Sequence, residues 1–561
     1  MTLIGLALLL GVCAIGPGLL ALRRCDWTPL EKLCASIGLS FLMLFFWAWV
    51  GALTGVLPVA ASLWSLMALG ATLVVRKDIV ELWRDEGLRA TVWAWIALLW
   101  WILLLQSLIR HYGGADWSGD WYEHYQRAVY FTLWPLDTSF LFIERYLLPA
   151  RPPLMNVLAA DFMAQLGTSF SIFQIFHSVL STLIFFPIVA LAGIFKKTLG
   201  RTPWILAIFF ALSPLFCQNV TYTWTRLFTG FFIVLGLVLY LEAWRLNDRA
   251  RMVAAFVALA AGFLTHYSAG PYLVILAAHY LVVLWRNRPR AWRELGLIVV
   301  TGGLILSTWF LWSLAVFGTK ATFGSNTAVT DSEKMTPGQN LTKIGLNIER
   351  TVIPFPVHRS LPEDRQRFAP GVGLRDTSFL LYQNNAILAM GSLNWIVIFI
   401  LLFRGLKKGE DDRPGIRGFW IVFVGGVFFL GIAVHGALTE WGLAHICLQP
   451  LVLMAVAFLA VEFTGLGRAL KGIVLAGLLV DFLLGIAIHI HFLHSNIQAG
   501  LGTITTFNWQ IKRKVGLVFL GDLMASWGPV LQVVFFVTGL ALVFALAIIG
   551  KRSLGLGADR R

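Results

Sequence analysis

Apolar residues run through this chain in long blocks separated by short polar stretches. A block of about 17–25 apolar residues is long enough to cross the hydrocarbon core of a bilayer as a helix. Such blocks lie at roughly 3–22, 33–55, 61–75, 90–109, 171–194, 203–219, 226–243, 252–265, 270–285, 294–317, 385–404, 417–436, 444–463, 471–493 and 528–549. Several are short, so the pattern predicts an all-α polytopic membrane protein of about 13–15 helices. No Lys or Arg precedes the first block, whereas Arg23 and Arg24 follow it directly. A signal peptide has the reverse arrangement, so the N-terminus is expected outside.

Alternation from that start puts 23–32, 76–89, 195–202, 244–251, 286–293, 405–416, 464–470 and the tail after 549 on the inside. With the residues at their membrane edges, these short segments carry 28 of the 44 Lys and Arg. That bias is the one that sets orientation in multi-spanning proteins. The long connections fall on the other side, at 110–170, 318–384 and 494–527. The expected organisation is therefore N-terminal spans over 1–109, a first outer loop over 110–170 and a central core of spans over 171–317. A large outer loop over 318–384 follows, then C-terminal spans over 385–561 that include the outer loop 494–527. Within the first loop, 120–133 and 152–166 have the spacing of short amphipathic helices lying on the membrane surface. The 318–384 loop, with Pro354, Pro356, Pro362, Pro370, eight basic and six acidic residues, shows no sustained period.

Composition narrows the class further. Of the 561 residues 58% are hydrophobic and 13% charged, and the mean hydropathy is +0.77. Soluble domains carry roughly 25% charged residues, so a soluble multidomain enzyme is excluded. The net charge of +15 is dispersed in loop clusters, which points to a lipid bilayer with anionic headgroups as partner and not to nucleic acid. Cys13, Cys25, Cys34, Cys217 and Cys447 form no CxxC and suggest neither a disulfide framework nor a zinc site.

Candidate chemistry gathers on the outer side. Between Gly113 and Ala128 stand three carboxylates, Asp116, Asp120 and Glu123, interleaved with Trp117, Trp121, Tyr122 and Tyr125. Arg151-Pro152-Pro153-Leu154 follows at some distance, then Ser213-Pro214, Thr225-Arg226, the run Leu264 to Pro271 containing His266 and Tyr267, and His445 to Pro450. This order resembles the GT-C superfamily of glycosyltransferases, in its protein O-mannosyltransferase and lipid A aminoarabinose transferase branch. There an Asp opens a surface helix of the form Asp-x-x-x-x-Tyr-x-x-x-Ala, and a basic-Pro-Pro-Leu segment opens a second. Asp120, Tyr125 and Ala128 match the first in type, and Arg151, Pro152 and Pro153 match the second. The departures are Arg226 where an Asp often follows Thr, His266 for a usual Lys and His445 for a usual Arg. Three spans before the acidic loop are also extra.

The resemblance implies a GT-C-like bundle that moves a sugar from a polyprenyl-phosphate donor to an acceptor on the extracytoplasmic face, with inversion. Such a protein is expected in a bacterial-type inner membrane with its site facing outside; the acceptor is open among protein, lipid and glycan. Phosphate leaves as a stable anion, so one carboxylate suffices as general base, while cations stabilise the departing charge. Asp120 is the first candidate base, followed by Asp116 and Glu123. Arg151, Arg226, His266 and His445 are candidates for the donor phosphate, and Tyr125, Tyr267 and Glu440 for the substrate cavity. No metal ligand set is assigned; a divalent cation, Mg or Mn, stays open between Asp116 and Glu123.

Other residues carry rival readings. Arg127 suits a headgroup anchor, and Arg145 a pair with Glu144 or Asp161. His489, His491 and His494 cluster at a span end. Asp481 lies mid-span, where an ionisable group is costly and suggests function, so a transporter or flippase is the main alternative. Lys512, Arg513 and Lys514 keep an O-antigen ligase or polymerase open. A non-catalytic assembly subunit fits the substitutions at 226, 266 and 445. Asn219 and Asn340 match the glycosylation sequon.

Overall fold

In the computed structural model, the described residues are 2–110, 112, 119–196, 199–287, 291–326, 335–354, 381–383, 385–407, 416–433, 444–488 and 515–553. Among them the chain is helical, and 12 helices are long and apolar enough to cross a membrane, or 13 when one bent pair is included. Two of the fifteen blocks fall short of that length. Block 252–265 forms the 17-residue helix Arg249–Thr265, and block 385–404 divides into Ala386–Ala389 and Asn394–Lys407. The helix Arg226–Leu246, apolar all round, is 94% buried and forms the axis of the bundle.

Local chemistry explains the less regular pieces. Gly16–Leu22 lies against Pro29–Thr54 because Gly18 has no side chain: a Cβ there would come within 2.0 Å of the Ser36 carbonyl oxygen. Thr202–Leu212 and Pro214–Thr221 meet at 74°. Pro214 has no N–H to continue the first helix, and the Ser213 hydroxyl caps the second by accepting from Phe216 N–H. That bend turns the chain along the outer side and delivers Thr225 and Arg226 there.

Contacts pair segments assigned to the same side. Between segments expected inside, Arg23 meets Asp78 at 3.8 Å and Arg249 donates to the Arg293 carbonyl at 3.2 Å. Arg251 there bonds Glu31 at 3.2 Å and Asp248 at 2.6 Å. Between segments expected outside, Arg110 meets Asp522 at 3.8 Å, and Tyr267 donates to the Pro149 carbonyl at 3.1 Å.

The loop 318–384 contains more order than its composition suggests. Pro337–Val352 is a 16-residue helix opened by a capping box between Thr336 and Gln339. Lys343 and Asn347 donate to the carbonyls of Ala433 and Ile432, at the outer end of the span Ile416–Ala433. The end of the same loop is pinned by polar side chains. Gln383 donates to Gln218 at 2.7 Å and accepts from Asn219 at 3.0 Å and Gln449 at 3.3 Å. Asn219 is fully buried, so its match to the sequon is a chance one. Asp481 accepts from the Ser392 N–H at 2.8 Å and the Tyr382 hydroxyl at 3.4 Å. The mid-span acid thus secures the chain where it re-enters the bundle. His489, His491, His494 and Lys512 to Lys514 lie outside the described residues.

The helix expected as the second on the surface, Leu154–Leu166, is instead buried on every side over Leu154–Met163 and bonds the span Leu57–Val74 through Gln165 and Ser65; Asp161 within it is completely buried. Its carboxyl has a bond from Gln165 at 3.4 Å, and burial pushes its pKa up to about 7. Arg145 stacks on Tyr146 instead of pairing with Asp161. The folded protein holds the Asp161 proton to higher pH than the unfolded chain does, so this residue reduces stability as pH rises from about 4 to 7. Asp161→Asn should raise the melting temperature at pH 8, with the difference vanishing below about pH 4.

Candidate functional site

The first surface helix runs from Asp120 to Phe131. Asp120 and Glu123 stand in its first turn, where carboxylates oppose the positive end of the helix dipole, and Arg127 lies one turn beyond Glu123. At that spacing Arg127 and Glu123 share a face. The Arg127 guanidinium approaches Glu123 Oε1 to 2.7 Å and donates to the carbonyls of Leu148 and Leu147 at 2.7 and 3.1 Å. Arg127 is therefore an interior clamp and not a headgroup anchor.

Arg151 comes in from the segment before the helix Leu154–Leu166 and completes the cluster. Its Nε lies 3.4 Å from Glu123 Oε2, and its NH2 lies 3.3 Å from Asp120 Oδ1. Glu123 has no exposure and lies between two guanidinium groups, whereas the Asp120 side chain is 28% exposed. The two acids are thus placed differently: Glu123 holds cations in position, and Asp120 faces the open side. Glu123 raises the Arg151 pKa and so does Asp120, outweighing the burial that lowers it. His124, buried beside Asn156 Oδ1 at 3.3 Å, has its pKa pushed down by burial to about 3 and is a neutral ring.

An aromatic hairpin supports both arginines. Phe142 and Tyr146 face each other in an isolated antiparallel bridge. The Arg127 guanidinium carbon lies 4.2 Å from the Phe142 ring centre, and that of Arg151 lies 5.2 Å from Tyr146. Between them Ile143 and Glu144 have φ of 48° and 59°, a region that costs a β-branched residue about 1–3 kcal/mol and persists only where its surroundings demand it. Gln126 accepts from the Ile143 N–H at 2.8 Å and helps to hold the turn.

Arg226 opens the axial span and is joined to the Asp120 helix by packed rings: Trp224 on Tyr222, Tyr222 on Tyr112 and Tyr112 on Trp121, with centroids 4.3, 4.4 and 5.0 Å apart. It is 8% exposed and stacks 3.9 Å over the Trp224 ring. Among the described residues it has no ion pair and no hydrogen-bond partner. Among the described residues the buried Thr223 and Thr225 hydroxyls and His177 Nε2 have no hydrogen-bond partner. Among the described residues the site therefore gathers Asp120 and Glu123 with Arg127 and Arg151, and Arg226 is the arginine there without a carboxylate partner.

The remaining expected residues are spread around this cluster. Tyr267 fixes the turn before Arg151 through Pro149, and His266 Nδ1 accepts from the Ser268 N–H at 3.1 Å. Tyr125 donates to the Thr168 carbonyl at 2.6 Å and packs on Phe170 and Phe173. Asp116 and Glu440 lie outside the described residues, as does the side chain of His445. Among the described residues no three His, Cys, Asp or Glu side chains gather to hold a metal. Glu123 is engaged by Arg127 and Arg151, and Asp116, its expected partner for a divalent cation, lies outside the described residues. The sequence pattern did not single out Phe142, Tyr146, His124, Asn156, His177 or Trp224. The i, i+4 spacing of Glu123 and Arg127 was the available signal for their pairing.

No protein-family model matches the chain, and no curated protein matches it. Among solved structures it is similar to the crystal structure of ArnT from Cupriavidus metallidurans bound to undecaprenyl phosphate. The TM-score is 0.43 at 16% identity, over 83% of this chain and 78% of that one.

The cluster separates fold from chemistry by mutation. Glu123→Gln leaves two buried guanidinium groups undercompensated and should destabilise the protein by about 3–5 kcal/mol. Asp120→Asn removes a partly exposed pair and should cost about 1 kcal/mol or less. Thermal unfolding of the two purified variants beside the parent measures the difference.

Proposed function

We propose that the protein is an integral-membrane glycosyltransferase of the GT-C type, using a sugar carried on polyprenyl phosphate and working on the extracytoplasmic face. One observation carries this reading: a buried Arg226, with no ion pair among the described residues, is linked through packed rings to the helix that the partly exposed Asp120 opens. A polyprenyl-phosphate sugar is a phosphodiester with one negative charge, which the positive charge of Arg226 matches. The guanidinium fork suits phosphate oxygens. The order of the motifs along the chain and their common side support the same assignment.

In this mechanism Arg226 seats the donor phosphate, with Arg151 at its edge. Asp120 accepts the proton of the acceptor hydroxyl as that oxygen bonds to the anomeric carbon. The bond from the anomeric carbon to the phosphate oxygen breaks on the opposite side, and polyprenyl phosphate leaves with the electron pair. One in-line displacement inverts the anomeric centre. No protonation of the leaving group is needed, so a single carboxylate carries the acid–base work, and the arginines stabilise the charge growing on phosphate. Glu123 and Arg127 act through Arg151 as positioning residues. The neutral His124 adds no charge to the cluster.

The transporter alternative relies on Asp481, whose carboxylate is engaged by Ser392 and Tyr382. The transferase reading is tested with purified protein in proteoliposomes, a panel of undecaprenyl-phosphate sugars and assay of released undecaprenyl phosphate. Asp120→Asn should lower turnover by about 10²–10⁴-fold while retaining binding of undecaprenyl phosphate. Arg226→Ala should weaken that binding by about tenfold or more. Lipid phosphate binding that is indifferent to Arg226, or turnover indifferent to Asp120, contradicts the assignment.

A further inference from the structure

The segment that joins the first surface helix to Arg151 has two unlike faces. Inward, Phe142 and Tyr146 carry the guanidinium groups of Arg127 and Arg151. Outward, four large apolar side chains are exposed: Leu133 at 57%, Trp134 at 58%, Phe140 at 40% and Leu141 at 47%. Exposed apolar groups on a loop of this size mark a contact with another apolar phase.

The position of the loop identifies that phase. Gly55 ends the span Pro29–Thr54 in a left-handed conformation, φ 75°, at the outer boundary of the bundle. A Cβ on Gly55 would lie 2.7 Å from the Trp134 indole, so the ring rests directly on this span end. Val56 and Val59, which start the return into the next span, are 50% and 60% exposed beside it. The apolar face of the loop is thus continuous with the lipid-facing surface of two membrane helices. Trp at such a boundary is the residue type that membrane interfaces favour.

Polar groups of the loop are arranged for a shallow depth. Asp137 Oδ1 accepts from the Ser139 N–H at 2.9 Å and its hydroxyl at 2.6 Å, and the Asp137 carbonyl accepts from Tyr130 at 3.0 Å. The Phe140 and Phe142 N–H groups bond to the Asp137 and Tyr146 carbonyls. These donors and acceptors are satisfied within the segment. The two bonds from Ser139 also hold the Asp137 pKa below its usual value, so this tip stays charged and belongs among headgroups and not in the hydrocarbon.

We propose that residues 133–141 form a wedge seated in the headgroup–acyl boundary of the outer leaflet, with Leu133, Trp134, Phe140 and Leu141 in contact with lipid. On the transferase reading, which this clause alone rests on, the wedge sets the depth at which Arg151 and Asp120 meet a lipid-borne phosphate. The hairpin Phe142 to Tyr146 is the rigid link between the two.

The test is a Leu141→Cys variant of the full chain labelled with NBD and placed in lipid nanodiscs. Cys13, Cys34, Cys217 and Cys447 are buried, and the parent chain treated alike gives the background. Lipids with a doxyl group near the glycerol should quench the label at least about twofold more than aqueous iodide does. Iodide quenching equal to that of free NBD-cysteine overturns the proposal, since the tip is then in water. Protection from iodide without doxyl quenching also overturns it, since protein, such as a second copy of the chain, then covers the tip. Phe140→Cys labelled in the same way provides the test if the first variant fails to fold. The label reads depth and not turnover, so it separates failure of the wedge from failure of the transferase reading.

Discussion

A carboxylate with no exposure to solvent is tolerated only when cations neutralise it, and Glu123 is such a group. Arg127 meets this demand from one turn along the same helix, and Arg151 meets it from a different segment. The second contact does more than balance charge. It draws the start of the helix Leu154–Leu166 onto the first surface helix and sets Arg151 beside Asp120, leaving Asp120 as the acid with an open side. The hairpin of Phe142 and Tyr146 then has to lie beneath the two guanidinium planes, which accounts for the unfavourable backbone at Ile143 and Glu144. Around Glu123 the geometry of the whole outer site follows from one desolvated charge.

The bundle below supplies a rigid base for that cluster through buried polar contacts as well as apolar packing. Between membrane helices, where lipid is as apolar as the helix surface, hydrogen bonds and close packing decide association. The carboxamides of Gln218, Asn219, Gln383 and Gln449 join three outer elements, and Asp481 fastens the chain beside them. The bend at Pro214 directs this assembly toward Trp224 and Arg226. Arg226 thus sits at the head of the most buried helix with its aromatic partner already in place. A cation held this way is preorganised: little reorganisation is required when an anion arrives.

Much of this was legible in the sequence, because membrane topology depends on coarse quantities. Hydropathy located the spans, and the contacts Arg251–Glu31 and Arg110–Asp522 each join segments that the alternation puts on one side. Two blocks fall short of span length: Arg249–Thr265, which still joins the side of Arg251 to that of Tyr267, and the block divided into Ala386–Ala389 and Asn394–Lys407. Within the site, Asp120, Glu123, Arg151 and Arg226 were marked by type and order, yet the division of labour between the two acids was hidden. It depends on burial, and burial depends on Arg151 arriving from another segment. The role of Asp481 was hidden for the same reason, since its partners Tyr382 and Ser392 are distant in sequence. The helix Pro337–Val352 escaped a periodicity search because its buried face is polar, carrying Lys343, Asn347 and Arg350.

The central claim is that one outer cluster joins a phosphate-seating arginine to a general base. The most direct measurement is a cryo-EM map of the purified protein with undecaprenyl phosphate. The account predicts phosphate density within hydrogen-bond reach of Arg226, with Asp120 facing the same cavity and the lipid tail leading to the bilayer. An empty outer cluster, with density threading the midplane beside Asp481 instead, would contradict it.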